Sequence, residues 1–214
     1  TELKDMRRKL LLLLILAAAA AGWAFLAYML LNYDLTEKYF GKVYKRQAPD
    51  IDLFDQDGHP VSLNRFHDKV VLIEWGYTNC PDVCPVTLSK LNQVMENLGD
   101  KAKDVQVLFI TVDPERDTAE RLKTYVPYFN KSFIGVTGSP EGIQKAARDY
   151  GVTVVKHQEV YGRSEKDHWD RYLVTHTNTV FLVDRDGALI LTYPHYLLEP
   201  ASIASDIKKL LREK

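Results

Sequence analysis

The chain has 214 residues, and its 28 Lys and Arg nearly balance 29 Asp and Glu, for a net charge of −1. That balance, with no basic face of the kind that tracks a polyanion, excludes a nucleic-acid reader. Two cysteines are too few for an iron–sulfur cluster, and the length suits one medium domain with an appendage.

The appendage comes first. Leu10 to Leu31 is an uncharged run of 22 residues, Leu-rich and then Ala-rich, closing on Trp23, Phe25, Tyr28 and Met29. As a helix it would be roughly 33 Å long, enough to cross a hydrocarbon core. Lys4, Arg7, Arg8 and Lys9 precede it, so the positive-inside bias predicts a cytoplasmic N-terminus (residues 1–9), a membrane anchor (10–31) and an exported remainder. A cleaved signal peptide is the rival reading, but the apolar run continues well past Gly22, which favours an anchor. Residues 32–46 read as a polar stalk, and 47–214 as the domain proper.

Within that domain, Ile51–Phe54 and Pro60–Leu63 flank an Asp57-Gly58 turn and predict a hairpin. Lys69 to Trp75 predicts a strand and Pro85 to Leu98 an amphipathic helix, with Gly99 as its C-cap. Between them lies Glu74-Trp75-Gly76-Tyr77-Thr78-Asn79-Cys80-Pro81-Asp82-Val83-Cys84-Pro85. It places both cysteines of the chain at i and i+4 of a strand-to-helix turn, where the helix dipole favours thiolates. A structural disulfide across so short a loop contributes little entropy, so the pair reads as a redox-active or metal-binding site. Asp82 is expected to lie exposed and accept a backbone N–H, while its charge keeps the thiols from becoming very acidic. Trp75 and Tyr77 are expected to wall the site.

Val105–Val112 predicts a strand buried on both faces, and Thr118–Tyr125 a helix in which Asp117-Thr118-Ala119-Glu120 reads as a capping box. A short strand Phe133–Val136 and a helix from Pro140 to about Tyr150, capped by Ser139, follow. Between Gly151 and Thr175 a polar excursion, read as a further hairpin over the active end, leads to a second hairpin, Thr179–Val183 and Ala188–Tyr193. A helix over Ala201–Leu211 closes the chain. This order predicts an α/β fold, a three-layer sandwich with a mixed central sheet.

Gly76 to Pro85 closely resembles the signature of the Sco/SenC family, membrane-anchored thioredoxin-fold proteins that help assemble the copper centre of cytochrome c oxidase. Thr111-Val112-Asp113-Pro114-Glu115-Arg116-Asp117-Thr118 resembles that family's Asp-Pro-Glu-Arg-Asp block. Tyr172-Leu173-Val174-Thr175-His176 resembles the segment supplying its third metal ligand. The resemblance covers roughly Pro49 to Leu211, and it departs at Asn79 and Thr175, where many members carry histidine and aspartate. It implies a thioredoxin-like fold and copper held by Cys80, Cys84 and His176, with Asp82, Asp113 and Asp117 in support. The implied partner is the copper-binding subunit of the oxidase, alongside another copper carrier or a thiol reductant. The implied place is the periplasmic side of an inner membrane, or the mitochondrial intermembrane space.

The residues agree with that implication. No proline lies between Pro140 and Pro194, so His176-Thr177-Asn178 occupies the hairpin entry where thioredoxin-fold oxidoreductases place a cis-proline. Two thiolates and an imidazole form a soft donor set that suits Cu(I), and Cu(II) with one added oxygen, while a closed zinc site needs a fourth ligand. Carriage of copper to an oxidase subunit is the first function predicted. A thiol–disulfide oxidoreductase using Cys80 and Cys84 is the alternative. A peroxide-reducing enzyme is a third, which calls for an acidic attacking thiol and a nearby base that the sequence around Cys80 does not display.

Overall fold

The computed structural model describes residues 2–31, 39–157 and 172–212. They fall into two compact units divided after Lys38. The first contains α1 (Glu2–Leu31), within which Met6–Met29, 24 residues, is long and apolar enough to cross a membrane.

The second unit is built on an eight-stranded sheet. In chain order its strands are β1 (Lys42–Gln47), β2 (Leu53–Asp55), β3 (Pro60–Val61), β4 (Val70–Gly76), β5 (Val105–Thr111) and β6 (Ile134–Thr137). Two more, β7 (Val154–His157) and β8 (Leu173–His176), form a separate antiparallel ribbon, and β9 (Thr179–Val183) and β10 (Ala188–Pro194) complete the sheet. The order across the sheet is β1-β10-β9-β4-β5-β6-β2-β3. β4, β5 and β6 run parallel and the rest are antiparallel to their neighbours, the mixed sheet expected.

Every residue of β4 and β5 is buried, Glu74 and Gln106 included, as in predominantly apolar strands covered on both faces. The helices are α2 (Val83–Leu98), α3 (Ala119–Phe129), α4 (Pro140–Asp149) and α5 (Pro200–Leu210). Leu88, Leu91, Val94, Met95 and Leu98 give α2 a buried stripe, and α3 and α5 pack beside it. The opposite face carries Trp75, whose ring lies 5.9 Å from that of Tyr150 at the end of α4, with Phe181 beyond.

Two expectations change. Lys42–Gln47, all but its last residue assigned to the stalk, is a sheet-edge strand paired with β10; its mostly exposed Lys-Val-Tyr-Lys-Arg-Gln sequence lacks the apolar alternation that marks a strand. The excursion after Gly151 pairs as expected, β7 with β8, but residues 158–171 lie outside the described residues, as do residues 32–38 of the stalk. The cap of α3 is Thr118, whose side chain accepts from the Arg121 N–H at 3.2 Å, so Asp117 is left for another task.

Candidate functional site

β4 delivers the chain to the cysteines. Side chains alternate along a strand, so Glu74 and Gly76 share one face and Trp75 takes the other. Trp75 is fully buried against Tyr150 and therefore does not wall the site. Gly76 is required by crowding: a Cβ there would lie 2.5 Å from Phe109 Cε2 and 3.1 Å from Cys84 Sγ. The turn closes with the Cys80 N–H donating to Tyr77 O at 3.2 Å, and α2 begins at Val83.

Both cysteines are free thiols. Cys84 is fully buried, Cys80 half-buried, and the Cys84 N–H points at Cys80 Sγ at 3.5 Å. Sharing a hydrogen bond with Cys84 lowers the Cys80 pKa to about 5, helped by the backbone N–H groups of Asp82, Val83 and Cys84 at the start of α2 and opposed by burial. Cys84 moves the other way, because it holds the shared proton and because it is buried. At neutral pH the pair is thus a Cys80 thiolate and a Cys84 thiol. The helix start favours one thiolate, not both, and the expectation of unremarkable acidity fails for Cys80. The Asp82 side chain makes no capping bond; its contribution comes through its backbone N–H.

His176 ends β8 and is 8% exposed. Its Nδ1 lies 3.1 Å from Thr177 O, and a carbonyl only accepts, so Nδ1 carries the proton. Nε2 then presents its lone pair to Cys84 Sγ at 3.6 Å. Burial lowers the ring's pKa and keeps it neutral. The edge of Tyr77 meets the ring at 6.1 Å between centroids, so Tyr77 does wall the site.

The sequence thus places Cys80, Cys84 and His176 together, with Cys84 between the other two. Among the described residues no group of three or more Cys, His, Asp or Glu side chains is arranged to hold a metal ion. The Cys84–His176 spacing nonetheless fits a shared ion. Donors each about 2.0–2.3 Å from a metal, at tetrahedral to trigonal angles, stand roughly 3.3–4.0 Å apart. Cys80 Sγ lies on the other side of the pair, within 3.5 Å of the Cys84 N–H.

The aspartates are close by but do not touch the thiols. Asp117 is fully buried and accepts from the Thr78 N–H at 2.9 Å, Thr78 Oγ1 at 2.6 Å and Thr111 Oγ1 at 2.7 Å. Burial raises its pKa against the pull of those bonds. Arg121 donates to Thr78 Oγ1 and Asn79 Oδ1, which gives Asn79 a partner outside the donor set. Asp113, also fully buried, is bonded to Arg116 and Tyr172.

Glu74 went unnoticed in the sequence. It is 1% exposed on the same strand face as Gly76, and burial followed by the nearby Cys80 thiolate raises its pKa to about 8. The signal was a single acidic residue inside an apolar strand.

Comparison with known proteins points one way. The family described as SCO1/SenC matches residues 44–212. The SCO2-like protein of Rickettsia conorii is 31% identical over 166 residues, 77% of this chain and 75% of that one. The copper-bound structure of Bradyrhizobium japonicum ScoI superposes with a TM-score of 0.67 at 34% identity, covering 78% of this chain and all of that one. The apo Sco1 structure from Thermus thermophilus gives 0.70 at 38% identity, covering 81% and 97%. The sandwich is therefore thioredoxin-like.

Proposed function

The chain belongs to the SCO1/SenC family, and on that premise we propose that it is a copper carrier that loads the copper site of a cytochrome c oxidase subunit during assembly. One observation supports this above the others: a neutral imidazole with its free lone pair 3.6 Å from the buried thiol of a two-cysteine turn. The copper-bound state of the Bradyrhizobium relative agrees with it.

Cys80, already a thiolate, supplies the first bond to the cargo. Cys84 releases its proton to become the second donor, and His176 Nε2 the third. Metal binding by a thiol competes with its proton, so loading releases acid. Thiols of the recipient then displace these donors one at a time. α1 tethers the carrier to the membrane that holds its recipient, which raises effective concentration. Lys4, Arg7, Arg8 and Lys9 support an N-terminus in the cytoplasm and a domain exported across the membrane. Protease added to spheroplasts should then digest the domain; full protection in intact spheroplasts contradicts the orientation.

The acidic Cys80 beside a protonated Cys84 supports the second reading, thiol–disulfide exchange. The Cys80 thiolate attacks a target disulfide and expels one target thiolate. Cys84 then loses its proton and displaces the second, leaving a Cys80–Cys84 disulfide and a target dithiol. The target would be the oxidase's own copper-site cysteines.

His176→Ala separates the two. Exchange needs only the cysteines, so the variant should still cycle between dithiol and disulfide. Its Cu(II) affinity should fall by about a hundredfold, since it loses a full ligand, and its Cu(I) affinity by less. Oxidase activity in copper-limited cells should fall with it. Full oxidase assembly by His176→Ala, with failure of Cys80→Ser, gives the function to the reductase.

A further inference from the structure

The segment from Thr111 to Asp117 runs between the cysteine turn and the β7–β8 ribbon, and its side chains divide between them. Toward the turn, Asp117 holds Thr78 by both backbone N–H and hydroxyl, two residues before Cys80. Toward the ribbon, Arg116 Nη1 donates to Tyr172 O at 3.0 Å, and its guanidinium carbon lies 3.6 Å from the Tyr172 ring centroid. The same guanidinium donates through Nε to Asp113, and Asp113 also accepts the Tyr172 hydroxyl. The Tyr77 ring centroid lies 5.7 Å from the same guanidinium carbon. Both Asp113 and the Arg116 side chain are more than nine-tenths buried. The backbone folds on itself, with the Arg116 and Asp117 N–H groups both donating to Asp113 O at 3.2 and 2.9 Å. The two grips therefore belong to one rigid turn.

The ribbon needs such a grip. Two strands alone are marginal in water, and the residues of β8 that face outward are exposed. Tyr172 immediately precedes β8, and His176 is its last residue. Beyond Tyr172, β8 meets the turn through the Val174 N–H on Tyr77 Oη, a long bond of 3.4 Å, and through His176 itself, against Tyr77 and Cys84. Fixing Tyr172 fixes where the imidazole arrives.

We propose that the Asp113–Asp117 turn is a two-sided clamp, in which Arg116 with Asp113 positions the strand carrying His176 while Asp117 separately positions the turn carrying Cys80. Arg116 and Asp117 are positioning residues; neither touches the donors. A planar guanidinium stacks on Tyr172 while donating to its carbonyl and to Asp113, and an ammonium does not reproduce that combination. The copper arm of the claim rests on His176 being the third donor; the other two readouts do not.

The test uses reduced, metal-free, full-length protein in detergent. Arg116→Lys should speed amide hydrogen exchange across β8 by about tenfold, the scale of a lost charge-assisted hydrogen bond, and leave the Cys80–Cys84 potential at its wild-type value. Asp117→Asn should do the reverse, shifting the dithiol–disulfide equilibrium by about threefold or more with β8 exchange unchanged. If Arg116→Lys does not fold, Tyr172→Phe, which removes the hydroxyl's bonds to Asp113 and, at 3.4 Å, to Glu115 while keeping the ring, carries the same expectation. Unchanged β8 exchange in the folded variant, or both variants moving both readouts, overturns the clamp. Cu(II) affinity should fall about tenfold in Arg116→Lys. If the two metal-free readouts divide as stated and Cu(II) affinity does not move, the clamp stands and His176 loses its place as donor.

Discussion

Cys80 and Cys84 sit where a fully buried seven-residue strand of the main sheet meets a sixteen-residue helix. His176 sits at the end of a four-residue strand in a two-stranded ribbon with outward residues exposed. The first region is fixed by the core: moving the thiols would mean moving β4, β5 and α2 together. The second is fixed by the burial of Tyr172 and Val174 and by a few polar contacts, from Arg116, Asp113 and Tyr77. A site assembled in this way keeps its redox pair rigid and leaves its third donor adjustable. That suits a carrier, which has to hold an ion and then release it.

The contrast can be broken most severely at Glu74. Its carboxyl titrates at about 8 in the fold against an ordinary value of 4.5, so the folded protein keeps a proton that the unfolded chain has released. The stability this proton contributes is complete below about 4.5 and is lost as pH rises through about 8. Glu74→Gln stays neutral throughout. The stability difference, variant minus wild type, should therefore grow between those two pH values and then level, by on the order of several kcal/mol. Denaturant melts of both proteins across that range measure it. A difference that does not vary with pH contradicts the assignment.

Gly76→Ala comes next. The added methyl group would meet Phe109 at 2.5 Å and Cys84 Sγ at 3.1 Å, so the core has to give, at a cost of about 1–3 kcal/mol. Because the whole sheet is involved, the loss should appear in global unfolding and in the Cys80–Cys84 potential together. A variant as stable as wild type would show that the turn is not locked by packing. On the ribbon the expected effect is the smallest. Lys156 Nζ lies 3.0 Å from Glu115 Oε2, but both side chains are partly exposed, so Lys156→Ala should cost no more than about 1 kcal/mol. A larger global loss would place the ribbon within the core's cooperative unit.

The same contrast governed what could be read from the sequence. β4, β5 and α2 were legible because burial on both faces leaves a predominantly apolar run, and burial on one side of a helix leaves a 3.6-residue period. The hairpins of β2 with β3 and β9 with β10 were legible from their Asp-Gly turns, where Gly58 and Gly187 adopt φ of 82° and 79°. β1 was not, because an edge strand of Lys, Tyr and Arg has no apolar face to announce it. Asp117 was misplaced because two adjacent residues, Asp117 and Thr118, both suit an N-cap, and only the fold shows which is free to do it. Trp75 was misplaced because neighbours in a strand face opposite ways. The contact of Asp113 with Tyr172 spans 59 residues, and no local period encodes it. The thiol pair was plain from its spacing. Its unequal acidity depends on burial of Cys84 and on the backbone around Cys80, which spacing does not reveal.

The central claim is that free thiols of this turn hold the cargo, and the most direct measurement is copper uptake by one preparation in two states. The reduced protein and the same protein with a verified Cys80–Cys84 disulfide are dialysed against copper, and bound metal is counted. A sulfur engaged in a disulfide is not a thiolate ligand, so the reduced form should retain stoichiometric copper and the oxidised form none until a reductant is added. Equal copper loading of the two forms contradicts the account.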